Sequence, residues 1–306
     1  MDDIKGLVFL VVNGSFVDGH GIRTTVFLKG CPLQCIWCCN PEGQAFHPEL
    51  KLTSAKCDGC GKCVAKCRTG AIQIYSGQED AKVQVDRQLC TNCGECIAAC
   101  YTGALDCFGK YYTVEELFNV VKKDEQFYRS SGGGVTIGGG EATWQPEFTL
   151  QFIKKCKENY IHTALDTCGY VTVPEGIKAL EEADLLLFDL KGMDVEQHVK
   201  STGVSNEPIL ENLKKVDALG KPIIIRLPVI PGYTDSATSL KHTAEFLSRL
   251  TSVERVDVMP VHEYGKIKYE QLGKAYKLKV QPIPEQRQEE IVTLLESYGL
   301  IAQIGG

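Results

Sequence analysis

The sequence predicts an α/β fold, a partial (β/α)6 barrel interrupted by one small cysteine-rich insert. Three observations predict it. Short apolar runs without polar alternation recur along the chain, as strands do in a parallel sheet buried on both faces. Segments of helical period separate them. Between His47 and Lys110, two near-copies of one cysteine-rich run break the alternation.

Thr24–Lys29 is the first strand and feeds directly into Cys31. After the insert, Thr113 and Glu116 have capping-box spacing, and Val114, Leu117, Phe118 and Val121 follow at helical intervals. Gly134–Gly138 is a strand running into glycines, and Phe148–Lys157 is helical. Thr163–Asp166, Leu185–Leu190, Ile223–Ile230 and Val256–Met259 read as the next four strands. Helices at Ile177–Glu182, Pro208–Leu219 and Leu240–Leu250 separate them, and a last helix at Glu285–Tyr298 precedes an apolar tail, Leu300–Ile304. The expected division is a barrel of residues 1–46 and 109–306 with an insert of residues 47–108. Sites in such folds gather at the C-terminal ends of the strands.

Composition narrows the function. A chain of 306 residues with 43% hydrophobic and 24% charged residues suits a globular protein of one large domain plus an insert. A net charge of −6 argues against a nucleic-acid partner. The first apolar run, Leu7–Val12, is too short for a signal segment or a membrane span, so a cytoplasmic protein with no membrane partner is expected. Fifteen cysteines in a reducing compartment point to metal rather than disulfides.

Cys31, Cys35 and Cys38 have the spacing Cys-x3-Cys-x2-Cys within Gly30-Cys-Pro-Leu-Gln-Cys-Ile-Trp-Cys38. Three thiolates so spaced can hold three irons of a 4Fe–4S cube and leave the fourth open, whereas a purely electron-transferring cube has four cysteines. A zinc site with Cys39 as fourth ligand is the alternative, but adjacent cysteines seldom reach one ion without strain.

The insert reads Cys-x2-Cys-x2-Cys-x3-Cys twice, at Cys57, Cys60, Cys63 and Cys67 and again at Cys90, Cys93, Cys96 and Cys100. This resembles the bacterial ferredoxin run, in which each cluster takes three cysteines from one run and the fourth from the other. The resemblance implies one cube on Cys57, Cys60, Cys63 and Cys100, and a second on Cys90, Cys93, Cys96 and Cys67. Arg68 and Tyr101 stand where a proline usually follows the fourth cysteine. Two four-thiolate zinc sites are the alternative. Of the other cysteines, Cys156 and Cys107 read as structural, while Cys39 and Cys168 fall beside the proposed site.

The first motif, with the aromatic Trp37 before its third cysteine, resembles the signature of radical S-adenosylmethionine (SAM) enzymes. There SAM chelates the open iron, one electron breaks its C5′–S bond, and a 5′-deoxyadenosyl radical forms. Further marks resemble the glycyl radical enzyme activating enzymes: Asp18-Gly-His-Gly21, Asn40-Pro-Glu42, Gly132-Gly-Gly-Val-Thr136, Gly138-Gly-Gly-Glu141, Asp189-Leu-Lys191, Thr202-Gly-Val-Ser-Asn206, Pro228-Val-Ile-Pro-Gly232 and the His262 segment. The resemblance implies a barrel of radical SAM type with a ferredoxin-like two-cluster insert. It makes Cys31, Cys35 and Cys38 the catalytic cluster ligands, with Lys191 and Asp18 as further catalytic candidates. Trp37, Gly139, Gly140, Glu141, Asp166, Asp189, Lys191, Arg226 and His262 are the SAM-binding candidates, Glu141 by accepting from the SAM ammonium group.

The implied cofactors are three 4Fe–4S clusters, SAM and a monovalent cation. The implied partners are a glycyl radical enzyme, which loses hydrogen from a backbone glycine, and a flavodoxin- or ferredoxin-type electron donor. The partner's type is a dehydratase, a decarboxylase, a C–N or C–S lyase, or a succinate-adding synthase. Two other readings stay open: a radical SAM enzyme acting on a small molecule or another peptide, and a non-catalytic electron-transfer protein with three clusters.

Overall fold

The computed structural model describes residues 4–76 and 81–305. Strands β1 (Lys5–Ser15) and β2 (Arg23–Leu28) form an antiparallel pair. The insert holds β3 (Glu49–Leu52), β4 (Ile72–Ser76), β5 (Ala81–Val85), the short helix α1 (Glu95–Ala98) and β6 (Leu105–Phe108). The chain returns through β7 (Lys110–Thr113), α2 (Val114–Val121) and α3 (Glu125–Ser131) to β8 (Gly134–Gly139). Then come α4 (Pro146–Glu158), β9 (His162–Thr167), α5 (Pro174–Glu182), β10 (Leu185–Asp189), α6 (Val195–Thr202) and α7 (Glu207–Asp217). β11 (Ile223–Val229), α8 (Ala237–Leu247), β12 (Val253–Pro260), α9 (Lys266–Leu272), α10 (Glu285–Glu296) and β13 (Ala302–Ile304) complete the chain.

Nine strands form one sheet in the order β13-β12-β11-β10-β9-β8-β2-β1-β7. From β2 to β13 all neighbours are parallel, while β1 and β7 run antiparallel at the other edge. Both edges are free of each other, so the sheet does not close. The six expected strands are all present as β2 and β8–β12. The apolar tail adds β13 beside them. Leu7–Val12, read only as too short for a membrane, lies within the eleven-residue strand β1. Its pattern was hidden because the far half of β1 is largely solvent-exposed.

The parallel strands carry continuous buried runs, Leu185–Phe188 and Ile223–Ile225 among them, because helices cover one face and the barrel interior the other. The capping box of α2 is complete: Thr113 Oγ1 accepts from Glu116 N, and Glu116 Oε2 accepts from Thr113 N. Cys156 is wholly buried on α4 among Phe152, Ile153 and Ile161, as a small hydrophobe. In the insert, β3 pairs with β6 and β4 with β5 around a small core that includes Cys63 and Cys96. No helix among the described residues is long and apolar enough to cross a membrane.

Candidate active site

The loop after β2 carries Cys31, Cys35 and Cys38, and its backbone is held on three sides. Gly30 N and Cys31 N donate to the carbonyls of Gly43 and Gln44 at 2.7 and 3.1 Å. Gln34 N and Ile36 N donate to Thr202 O and Ser201 O, at the end of α6, at 2.7 and 3.0 Å. From α9, Tyr269 donates its hydroxyl to Cys38 O at 3.0 Å, and Lys268 Nζ reaches Asn40 Oδ1 at 2.6 Å and Glu42 Oε1 at 2.8 Å. A loop this short needs such external donors and acceptors because it makes few hydrogen bonds of its own.

The three thiols are half-buried and share a neighbourhood with Lys191 and Cys168. Burial pushes the Cys35 thiol up to about 12 and that of Cys38 well above the ordinary thiol range. Cys31 is held lower by a hydrogen bond from the Cys168 thiol. Such a set suits soft thiolate ligation, because bound iron supplies the positive charge that buried thiolates otherwise lack. Cys39 turns the other way: it is exposed, and Gly265 packs against its backbone so closely that a Cβ there would stand 2.8 Å from Cys39 Cα. Among the described residues no three His, Cys, Asp or Glu side chains could hold a single metal ion.

Lys191, just beyond β10, pairs with Asp189 at 2.5 Å. Burial opposes its charge, but Asp189 and the nearby thiols outweigh that and hold its ammonium group above its ordinary range. The pair stands at the C-terminal mouth of the sheet, beside the cysteine loop.

The glycine run after β8 differs from expectation. A Cβ on Gly140 would stand 2.4 Å from Gly30 O and 2.5 Å from Gly43 O, and one on Gly139 would stand 2.5 Å from Leu28 backbone atoms. The glycines therefore admit the backbone of the cysteine loop, sealed by Gly140 N to Leu28 O at 2.7 Å and Glu141 N to Gly30 O at 2.8 Å. Glu141 is fully buried, and its carboxylate already accepts from Thr143 N, Thr143 Oγ1, Thr167 Oγ1 and Cys168 N. Four donors occupy the carboxylate, the Thr167 hydroxyl lying between its two oxygens. It ties the ends of β8 and β9 together and sets Cys168 against Cys31.

Below the mouth, Arg226 on β11 bridges two carboxylates, Asp18 Oδ1 at 2.9 Å and Asp166 Oδ2 at 3.1 Å. Burial pushes the Asp166 carboxyl up to about 7 against the pull of Arg226. Burial also acts on Asp18, but Arg226 and the hydroxyls of Ser15 and Thr25 outweigh it and hold Asp18 below its ordinary range. Asp18 sits on residues 16–22, which cross under the sheet: Thr25 Oγ1 and Thr136 Oγ1, level with each other on β2 and β8, donate to its side chain and carbonyl at 2.6 Å. Asp18 thus reaches Arg226 from the segment between β1 and β2 and fixes its guanidinium. Gly138 faces this cluster, since a Cβ there would stand 2.9 Å from Asp166 Cβ.

Trp37 rests against Tyr233 with ring centroids 6.2 Å apart. His262 follows β12, is exposed, stacks on Tyr264 at 4.4 Å, and accepts from Tyr264 N. It lines a cavity with Tyr276, Leu278 and Pro282.

In the insert, one cavity is lined by Cys57, Cys60, Cys63 and Cys100. A second is lined by Cys67, Cys90, Cys93 and Cys96. Each thus has three thiols of one run and the fourth of the other. Cys107 sits on β6 and points to Gly109 O at 3.6 Å, apart from both sets.

Sequence reasoning missed α9 and α6. Their signal was slight: Asn40, Glu42 and Thr202 were noted as marks without roles, and their partners Lys268 and Gln34 lie far away in sequence.

The Radical SAM superfamily profile matches residues 96–247, and that of the 4Fe-4S dicluster domain matches residues 56–104. The first match begins beyond the Cys31–Cys38 loop, but the full-length relatives include it. The (2S)-3-sulfopropanediol sulfolyase activating enzyme of Bilophila wadsworthia (strain 3_1_6) is 41% identical over 96% of this chain and 97% of its own. The trans-4-hydroxy-L-proline dehydratase activating enzyme of Clostridioides difficile is 41% identical over 98% and 99%. The benzylsuccinate synthase activating enzyme of Thauera aromatica is 39% identical over 95% and 90%. Among solved structures, Streptococcus suis SuiB bound to precursor peptide SuiA shares the fold, with a TM-score of 0.52 and 13% identity over 90% of this chain and 46% of that one. The chain belongs to the glycyl radical enzyme activating enzymes of the radical SAM superfamily, and carries in addition a 4Fe-4S dicluster domain.

Proposed function

We propose that Cys31, Cys35 and Cys38 hold a 4Fe–4S cluster with one iron left for SAM, and that the two four-cysteine sets of the insert hold two more. The observation that carries this reading is the sorting of eight insert cysteines into two cavities, three from one run and one from the other. Interleaved ferredoxin runs produce that sorting.

Bound at Cys31, Cys35 and Cys38, such a cluster would supply the single electron that cleaves the C5′–S bond of SAM to methionine and a 5′-deoxyadenosyl radical able to take a hydrogen atom from a glycine. The chain's own residues prepare this. Lys191, steadied by Asp189, presents its ammonium group beside the cysteine loop, where it suits the SAM carboxylate. A monovalent cation held near the acidic Asp189 and Asp166 would serve the same carboxylate. Trp37 and His262 offer aromatic faces at the rim, and Arg226, fixed by Asp18 and Asp166, lines the interior below. Gly139, Gly140 and Glu141 position the loop. Cys168 stands against Cys31, while Tyr269 and the α6 turn hold the backbone that carries the thiols.

The substrate is a backbone glycine of a glycyl radical enzyme, of the dehydratase, decarboxylase, lyase or succinate-adding kind named among the relatives. The unclosed sheet leaves one side through which a peptide loop can reach the interior. The loop must first leave its own domain, so binding includes a cost of local unfolding in the partner. A flavodoxin- or ferredoxin-type protein in the cytoplasm supplies the electron.

The test is anaerobic reconstitution of the wild type and of Cys35→Ser. The wild type should bind about twelve irons and twelve sulfides per chain, from three cubes. Cys35→Ser should lose 5′-deoxyadenosine formation. Stoichiometric zinc, or nucleoside production retained in the variant, would overturn the reading.

A further inference from the structure

We infer that Arg87 is a positioning residue that locks the active-site cysteine loop to the insert through α9, and that the cavity of Cys67, Cys90, Cys93 and Cys96 is the inner of the two. The second half rests on the cluster assignment proposed above.

Arg87 lies three residues before Cys90 and uses both ends of its fork. Nη1 donates to Leu50 O at 2.5 Å, and Nη2 donates to Gln271 O, in the last turn of α9, at 2.9 Å. Gly273 closes over it: a Cβ there would stand 3.0 Å from Nε. Leu50 walls the cavity of Cys67, Cys90, Cys93 and Cys96, and its N–H donates to Asn92 Oδ1 at 2.9 Å inside the second cysteine run. One guanidinium thus fastens α9 to the wall of that cavity. A fork reaching two carbonyls in different elements is work that lysine, with one nitrogen, does poorly.

The same helix also holds the active-site loop, through Tyr269 to Cys38 O and Lys268 to Asn40 and Glu42. A second route ends at the same wall. The buried ammonium group of Lys29, two residues before Cys31, donates to Glu42 O at 2.6 Å and to Glu49 Oε2 at 2.8 Å, and Glu49 adjoins Leu50. The other cavity is tied less directly. Its lining residue Ala104 accepts from Thr53 N at 2.7 Å, and Thr53 Oγ1 accepts from Gln271 Nε2 only at 3.3 Å. Each cavity has one exposed cysteine, Cys60 here and Cys93 in the other, so the ties to α9 and Lys29 are what set the order. By these ties a cluster on the inner set would stand between one on Cys57, Cys60, Cys63 and Cys100 and the active-site loop, placed to relay an electron from a low-potential donor protein.

The test uses the full chain, reconstituted without oxygen, as wild type, Arg87→Met and Arg87→Lys. In Arg87→Met, amide exchange in α9 and in residues 38–43 should quicken roughly ten-fold or more, the loss expected for two charge-assisted hydrogen bonds. Arg87→Lys should fall between, and iron per chain should stay at the wild-type value. Faster exchange confined to residues 81–92 would show that Arg87 does not hold α9 and would overturn the lock. Order is read from electron spin relaxation of the SAM-responsive signal. Cys93→Ser should remove the enhancement given by a neighbouring cluster, and Cys60→Ser should keep it; the reverse overturns the order. Wild type with only about four irons per chain would sink the cluster assignment and the order with it, while the exchange measurement still decides the lock.

Discussion

The Tyr269 hydroxyl donates to the carbonyl oxygen of Cys38 at 3.0 Å, joining two residues 231 positions apart. Tyr269 is buried and meets Tyr276 edge-on at 5.2 Å, so its ring stays in place without the hydroxyl. Tyr269→Phe should cost about 1 kcal/mol in stability, the usual worth of one internal hydrogen bond. Iron content should be unchanged, while 5′-deoxyadenosine yield should fall because the loop loses one anchor. Thermal unfolding together with an iron assay checks this, and full retention of both stability and yield would mean that the contact is idle.

Lys191→Met leaves the Asp189 carboxylate at the mouth without its partner. Breaking a buried pair on one side costs roughly 3 kcal/mol, at the lower end of the range because Asp189 keeps some contact with solvent. The double variant Asp189→Asn, Lys191→Met should recover part of that stability and none of the SAM affinity. Denaturant titration and the SAM-induced change in the cluster spectrum separate the two effects.

Asp166 sets a pH dependence. Burial pushes its carboxyl up to about 7, with Arg226 opposing. The unfolded chain releases that proton near pH 4. Between about 4 and 7 the folded protein holds more protons, so this group's contribution to stability falls as pH rises through that window. Asp166→Asn removes the contribution. The urea midpoint of the wild type should therefore decline more from pH 5 to pH 8 than that of the variant, and equal declines would contradict it.

Gly138→Ser places a Cβ 2.9 Å from Asp166 Cβ, too close without movement. Overpacking of this kind costs about 1–3 kcal/mol. Since Asp166 must yield, the Arg226 bridge should weaken as well. A matched Asp166→Gly, Gly138→Ser pair, which removes that Cβ, should restore part of the loss in a thermal melt, whereas simple additivity would show that the two positions do not meet.

Much of this protein was legible along the chain. Cysteine spacing named three thiol sets, because ligation to one cluster constrains close neighbours in sequence. The bare apolar runs named six parallel strands, because burial on both faces erases alternation. The half-exposed β1 escaped notice, since its far end shows solvent the residues that its near end buries.

What the sequence by itself determined, then, is the chemistry: which residue types stand at ligand spacing, and which runs must be buried. Only tertiary structure decided which of the polar residues are free to act. Glu141 read as an acceptor for the SAM ammonium group and Asp18 as a catalytic candidate, yet both already accept from hydroxyl, amide or guanidinium donors. Gly139 and Gly140 read as room for a ligand, yet that room is filled by the backbone of another loop. The physical reason is the same in each case. A hydrogen-bond donor brought from elsewhere in the chain leaves no mark on local spacing, and only the folded packing reveals that an acceptor is already taken.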